Sequence, residues 1–557
     1  MKYDADVLVI GAGPVGMTVA NELLRHGVKP RIVDKSPSIR EVTKAMILHV
    51  RTQEVLDKVG VAERARREAQ PLKEVAVHAY GKHVGSWDLD DIDSPYKHPL
   101  IIGQNRTQHL LLDLLQERGA DVQWNTEALS FEMTADGVTT KLKSIDPVTK
   151  AEREQTIRSQ YIVGAEGSNS LVRRSLNFTF EGERYTGEQF IQADCKIKWA
   201  LPKRRSYLFL TPVGYMMVIE FPDDIVRIFI SLPDDSAAGA AAAASQLGAV
   251  EAMNEAPTLD EIRHHFEQLS GFTCELSEPG WMARYRTSHR YSNRFSRDRA
   301  FLAGDAGHVH VPIGGQGMNT GIQDAFNLGW KLAGVVKGSF KNSILESYHA
   351  ERHPVAEGLI RGTNFAYQGV LHPSELRQWA TRMFGPYLIR SDRVQNFMRN
   401  TLEELKVFYP ESPINLDLGG AKGPKPGERI RDAEMVRASD KATLSLNEIT
   451  RSTAFTLLLF AGTEASGAYP DIAKLATGIA NRYAGTVEPY AVIVDPKLPR
   501  DLFKPDRVLI DTLHIAHDAY GVAGPVFFLL RPDTYVAARG PISAQEKLFS
   551  YLGQLLQ

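Results

Sequence analysis

The chain has 557 residues, of which 43% are hydrophobic and 24% charged, and a formal net charge of −2. That length exceeds what one core supports and predicts two or three domains, while the near-neutral balance offers no field for nucleic acid. Two cysteines, Cys195 and Cys274, are too few for a disulfide framework or a zinc site, and no apolar run reaches the length of a membrane span, so a cytoplasmic enzyme with no metal is expected.

The first element is an apolar β run over residues 6–10, followed by Gly11, Gly13 and Gly16 in the G-x-G-x-x-G spacing and then by helical periodicity from Met17. This is the strand, tight turn and helix that hold a pyrophosphate. Gly11 allows the turn, Gly13 lets backbone approach the anion, and Gly16 permits close helix packing. Pro14 suits an early helical position, and Val15 stands where the helix N-terminus faces the anion. A second strand over residues 30–33 ends at Asp34, about twenty residues past the glycines, where a carboxylate accepts hydrogen bonds from ribose hydroxyls; Lys35 follows it. Residues 161–174, YIVGAEGSNSLVRR, read as a strand and a capped helix. Two alternating stretches, residues 206–221 and 225–232, predict an antiparallel sheet. Tyr215, Met217 and Ile219 fall on one face of it, and Met216 and Val218 on the other. The alanine-rich residues 234–249 predict a surface loop or weak helix. RAFLAGDAGH, residues 299–308, is a buried strand ended by Gly304-Asp305, and the glycine-rich loop after it turns helical near Met318. There Asp305 is placed to bind a ribityl hydroxyl, and the N–H groups at the helix start to face a flavin's pyrimidine edge.

Taken together these motifs resemble the single-component (class A) flavoprotein aromatic hydroxylases, the group of p-hydroxybenzoate hydroxylase and phenol hydroxylase. The resemblance covers about the first 370 residues and extends to the tail. It implies that Lys44, Arg51, Gln104 and Arg106 stand near the cofactor, Gln104 on its flavin side and Arg106 on phosphate. It also implies that Pro312, Gly314, Gly315 and Gly317 bring backbone against the ring system, with Met318 and Asn319 toward its pyrimidine edge. The middle motif normally carries Asp-Gly in this group; here Glu166 replaces the acid, one methylene longer, in a position the group uses for FAD and nicotinamide pyrophosphate contacts.

The fold so implied is α/β, with a Rossmann-like FAD-binding domain of the glutathione reductase type interleaved with an antiparallel-sheet substrate domain. The first takes about residues 1–75, 100–182 and 278–370, and the second about 76–99 and 183–277. A helical segment and linker cover about 371–427. Strands and helices then alternate over about 428–557 in the order of a thioredoxin-like domain, without cysteine and so without redox work. Similar tails in the group serve packing and dimer contacts.

The implied chemistry is reduction of tightly bound FAD by NADPH or NADH, addition of O2 as a C4a-hydroperoxyflavin, and oxygen transfer to a small phenolic or other aromatic substrate. Catalytic candidates are His308, Tyr215 and Arg286. Substrate candidates are Tyr207, Met217, Tyr285 and Tyr291, since a phenol or guanidinium binds an oxygen substituent on a ring. Other readings on the same cofactor fold are a dehydrogenase or reductase, a halogenase, whose usual Trp-x-Trp-x-Ile element does not occur, and a non-catalytic flavin-binding scaffold.

Overall fold

Runs that are apolar without alternation form strands covered on both faces, and three such runs build the central sheet of the computed structural model. All residues are described except 1–2, 42–44, 91, 185–187, 234–249, 253–255, 311–313, 372–373, 464–466 and 496–503, so Lys44, Pro312 and the alanine-rich stretch lie outside the described residues. The chain divides into two units. One comprises Met1–Asn21, Lys29–Ala325 and His353–Glu404, the other Glu22–Val28, Phe326–Arg352 and Leu405–Gln557.

The first elements are β1 (Ala5–Ile10), α1 (Pro14–Arg25), β2 (Pro30–Val33), β3 (Ile47–Leu48), α2 (Val50–Val59), β4 (Glu74–Ala79), α3 (Gln104–Glu117) and β5 (Val122–Gln123). They are followed by β6 (Glu152–Gly164), α4 (Leu171–Ser175), β7 (Glu188–Trp199), β8 (Ser206–Thr211), β9 (Gly214–Glu220) and β10 (Val226–Pro233). Then come α5 (Leu259–Ser270), β11 (Met282–Ser292), β12 (Ala300–Leu302), α6 (Gln316–Val336) and α7 (Asp392–Leu402).

In the first sheet the order is β12-β6-β1-β2-β5, all parallel. Register decides where its ligand edge lies. Ile10 pairs with both Gly164 and Val33, and Gly164 with Leu302, so four strands end in one row. The glycine turn, Asp34, the middle motif and Gly304-Asp305 all leave the sheet along that edge, outside the carboxyl ends of the strands, where open α/β sheets bind ligands.

The second sheet runs β11-β7-β10-β9-β8-β4, antiparallel except for the parallel pair β8 and β4. Alternation gives it two buried faces. One packs Tyr207, Phe209, Met216, Val218 and Ile228 against Ile262 and Phe266 of α5. That helix is defined by its ends: the Thr258 hydroxyl accepts from the Glu261 N–H, and Gly271 closes it at φ 76°. The other face gathers Phe190, Leu208, Tyr215, Met217, Ile219, Phe229 and Tyr285 against Ile47 of β3 and Ile101.

Within the second unit a sheet of order β17-β16-β13-β14-β15 is built from β13 (Phe455–Phe460), β14 (Val487–Ile493), β15 (Val508–Ile510), β16 (Val526–Leu530) and β17 (Val536–Pro541). Strand β13 is parallel to β14 and antiparallel to β16. Tyr469–Arg482 connects β13 to β14, and Gln545–Leu555 closes the chain. A buried ionic cluster also belongs to this unit. Glu351 accepts from both Arg531 Nη atoms at 2.7 and 2.8 Å, Lys331 Nζ at 2.7 Å, Asn327 at 2.7 Å and the Ser412 hydroxyl at 2.6 Å. Burial opposes the Glu351 charge, but Arg531 and Lys331 outweigh it and hold its carboxyl below the ordinary range. Among the described residues no helix is long and apolar enough to cross a membrane.

Candidate functional site

The three glycines of the first turn differ in what surrounds them. A Cβ on Gly11, which sits at φ +100°, would run into the Ala165 carbonyl, and one on Gly16 into the carbonyl of Gly11. A Cβ on Gly13 would meet nothing within 4 Å. Two glycines therefore serve close packing, and the third keeps an open face before the helix that begins at Pro14. Asp34 holds this turn: its Oδ2 accepts from the Ala12 N–H and its Oδ1 from the Ser36 N–H, each at 2.7 Å. Each oxygen retains a further lone pair for a ligand hydroxyl. Lys35 beside it is exposed.

Val15 joins this turn to the second signature. Gly304, at φ +61°, leaves room for Val15, whose Cγ2 would lie 2.8 Å from a Cβ there and 2.7 Å from one on Gly321. Residues almost 300 positions apart are thereby locked together. Asp305 remains exposed at the turn. The turn is fixed from behind by the buried Asp324, whose Oδ2 accepts from the Gly304 N–H at 3.0 Å and from His308 Nε2 at 2.7 Å. His308 is 1% exposed and stacks on Phe295; its Nε2 is engaged by Asp324, while its Nδ1 is buried without a hydrogen-bond partner.

The middle motif closes onto the same edge. Arg173 donates to the Ala306 carbonyl at 2.8 Å and to the Ser168 carbonyl at 2.6 Å, with its guanidinium over Phe180. Burial lowers its pKa to about 10. Glu166 turns back onto α4, accepting from the Ser170 hydroxyl at 2.9 Å and the Val172 N–H at 3.0 Å. Its other oxygen is buried without a partner, and burial raises the pKa of the carboxyl. The side chain thus caps a helix rather than reaching toward a pyrophosphate, which corrects the expectation carried by the motif.

At the start of α6, Gly314 and Gly315 are both left-handed, at φ +73° and +70°. A Cβ on Gly315 would lie 3.4 Å from Ile47, which also belongs to the aromatic face of the second sheet. Asn319 is fully buried and its side chain is consumed: Oδ1 accepts from the His49 N–H at 3.0 Å, and Nδ2 donates to the Ile47 and Gly315 carbonyls at 2.9 and 2.7 Å. Its side chain is therefore engaged within the protein, which leaves its backbone as the group it can offer. Met318 is 9% exposed, and Gly317 packs near His310, 3.5 Å from where its Cβ would be. Gln104 begins α3 and its Oε1 accepts from the Ala45 N–H at 3.3 Å.

Sequence reasoning missed three residues that hold this loop. His49 lies between Glu403 and the Gly314 carbonyl, and Glu404 takes the Thr320 hydroxyl at 2.8 Å and the Gln323 amide. The two acids follow α7, over 350 positions from His49, and a lone acidic pair at a helix end carries no motif.

Of the remaining candidates, Tyr215, Met217 and Tyr285 share one aromatic cluster with Phe190 and Phe229. Tyr207 does not: it faces α5 and its hydroxyl donates to the Pro202 carbonyl at 2.8 Å, so it is withdrawn as a substrate contact. Arg286, one residue beyond Tyr285 on β11, is buried and alternation sets it on the opposite face. Tyr291 lies at the far end of β11, its hydroxyl 3.4 Å from Glu357 and its ring edge-on to His353. Arg51 is buried in α2 and pairs with Glu54 at 2.7 Å. Arg106 pairs on the surface with Glu68 at 2.8 Å.

FAD fits the described edge. The open face at Gly13 matches a pyrophosphate, Asp34 a ribose, and Asp305, keyed through Val15, a ribityl chain. A family model described as an FAD binding domain matches residues 4–363. The chain is 30% identical to pentachlorophenol 4-monooxygenase of Sphingobium chlorophenolicum over 99% of its own length and 97% of that protein. It is also 30% identical to 6-methylpretetramide 4-monooxygenase of Streptomyces rimosus, over 100% and 95% of the two chains. The structure of the flavin-dependent monooxygenase PieE in complex with FAD and substrate shares the fold, with a TM-score of 0.76, 20% identity and 99% of each chain covered. On the strength of the glycine turn, the Gly304-Asp305 turn keyed into it and these full-length relatives, the chain belongs to the class A flavoprotein aromatic monooxygenases.

Proposed function

We propose that this flavin-dependent aromatic monooxygenase consumes NADPH or NADH together with O2 and places a hydroxyl group on a phenolic ring. The observation that carries the reading is the position of Ile47, which touches the glycine turn of α6 on one side and the aromatic face of the second sheet on the other. A flavin seated against that turn has an aromatic face next to it. Bound FAD supplies the electron transfer and oxygen chemistry.

The chain's own residues orient the ring and keep water away. Phe190 and Phe229 line the face with ring centroids 5.5 Å apart, and Phe190 stacks on Tyr285 at 5.9 Å. Burial pushes the Tyr285 phenol up, so it stays protonated at neutral pH and acts as a donor. Its neighbour Gln192 sets the direction of that proton. With the amide turned to satisfy both its groups, the Gln192 carbonyl accepts from Arg227 Nε and Nη1, and its NH2 donates to the Tyr285 oxygen, each at 2.9 Å. Arg227 is anchored on Asp194 at 2.7 and 2.6 Å. The Tyr285 O–H is then left to donate to an oxygen on the substrate ring. A buried, water-excluding aromatic face of this kind favours oxygen transfer over loss of the oxidant to solvent.

The second unit is read as a thioredoxin-like tail that serves packing and homodimer contacts. Its order β17-β16-β13-β14, with only β16 reversed against β13, supports the fold reading.

The test is to purify the chain with its flavin and follow NADPH and NADH oxidation with and without a panel of phenols. Oxidation stimulated by a phenol and dependent on O2 supports the reading. A rate indifferent to every phenol, or one that continues without O2, rejects it.

A further inference from the structure

His49 stands between β3 and α2 with its side chain 4% exposed, and both ring nitrogens face acceptors. Nδ1 lies 3.2 Å from Glu403 Oε1, itself on a carboxylate that is 1% exposed, and Nε2 lies 2.7 Å from the Gly314 carbonyl oxygen. A carboxylate and a carbonyl offer no proton, so two hydrogen bonds require a proton on each nitrogen. A neutral imidazole satisfies one acceptor and leaves the other buried and unpaired.

The same carboxylate is fixed from a second direction, since Glu403 Oε2 accepts from the Val50 N–H at 2.7 Å. The Gly314 carbonyl belongs to the peptide whose N–H is that of Gly315, and the two glycines form the left-handed turn from which α6 starts. A charge-assisted hydrogen bond to that carbonyl polarises the whole peptide and strengthens its N–H as a donor.

We infer that His49 is a positioning residue for the flavin: held as an imidazolium between Glu403 and Gly314, it pins the two-glycine turn and arms the Gly315 N–H toward the flavin's pyrimidine edge. The inference rests on the flavin monooxygenase reading given above.

The surrounding charges agree with this. Burial alone would depress the imidazolium, but Glu403, Glu404 and the Gly314 carbonyl outweigh it and raise its pKa from 6.5 to about 8. On α2, Arg51 and Glu54 pair with each other, and the first turn of α6 brings the uncharged Gln316 and Asn319. The contribution of His49 to stability is complete below pH 6.5, its unfolded value, and is lost as pH rises through about 8.

The experiment uses the FAD-loaded enzyme. Histidine ring resonances of the wild type should include one that titrates near pH 8, and the flavin absorption spectrum and midpoint potential should change over the same range. In Glu403→Gln, which removes the charge and keeps one carbonyl oxygen as an acceptor where the carboxylate offered two, that transition should move down by about one pH unit. In His49→Gln it should vanish, with a lowered flavin potential at pH 7. A purely structural role would shift the melting temperature and leave the flavin transition in place. A wild-type spectrum and potential that stay flat between about pH 6.5 and 9, or a transition that survives in His49→Gln, overturns the inference. The wild-type titration decides even where a variant does not fold. Failure of phenol-stimulated NAD(P)H oxidation, with the flavin transition present, counts against the monooxygenase reading instead, so the two failures are separable.

Discussion

At the carboxyl edge of the parallel sheet the groups offered to a ligand are backbone N–H groups and two carboxylates, set in place by Gly11, Gly13, Gly16 and Gly304. The inner face of the antiparallel sheet offers ring faces and two phenols, set by the sizes of Phe190, Tyr215, Phe229 and Tyr285. The first region tolerates no added atom at Gly11 and Gly16, where backbone approaches backbone. The second is a packing of side chains that adapt to one another. On the reading proposed above, the cofactor is held at the rigid edge and the substrate ring meets the adaptable face.

The contrast breaks first at the glycines. Gly16→Ala drives a Cβ into the Gly11 carbonyl and should cost about 3 kcal/mol or more in unfolding experiments, with no flavin retained. Gly13→Ala has space in the protein itself, so its melting temperature should hold while FAD retention falls at least about tenfold, about 1.4 kcal/mol. Equal damage to stability from both would mean that Gly13 is not a ligand face. Next in size is Asp324→Ala, which strips the acceptor from the Gly304 N–H and from His308. It should cost about 2 kcal/mol and weaken FAD binding, with Asp324→Asn recovering part of both; calorimetry and flavin titration measure them.

On the aromatic face the effects are smaller and move to kinetics. Tyr285→Phe should leave stability and flavin content unchanged and raise KM for a phenolic substrate about fivefold, corresponding to about 1 kcal/mol for one hydrogen bond. Tyr207→Phe should do the reverse, losing about 1 kcal/mol of stability through its Pro202 contact while KM stays constant. A KM effect at Tyr207 would mean that the face covered by α5 reaches substrate. Smallest is Glu166→Gln: with one carboxylate oxygen already unpartnered and the other accepting from Ser170 and Val172, stability should change by under about 1 kcal/mol and FAD affinity not at all. A clear change in FAD affinity would restore the pyrophosphate role to this acid.

How much was legible in the sequence follows the same division. Close backbone approach demands glycine at fixed spacing, so the turn at Gly11 to Gly16 and the Gly304-Asp305 turn announce themselves, and the relatives extend the reading to the whole chain. Period-two alternation places Tyr215, Met217 and Ile219 together, but alternation cannot say which face a helix will cover, and the substrate candidate Tyr207 lies on the face that α5 covers. Asn319 and Glu166 carry the right residue types for a ligand, yet Asn319 is bound to neighbouring backbone and Glu166 caps α4 through one oxygen. His49, Glu403 and Glu404 act through contacts between residues distant in sequence, and nothing local marks them. Arg51 and Arg106 show that a basic residue in a matching segment still pairs with the nearest acid when one is available.

Isotopically labelled O2 tests the monooxygenase reading most directly. The FAD-loaded enzyme is supplied with NADPH or NADH and with a phenol that stimulates its oxidation, and the product is analysed by mass spectrometry. One labelled oxygen atom in a hydroxylated ring is the expected result; an oxidised product that carries no label, or label only in hydrogen peroxide, would contradict it.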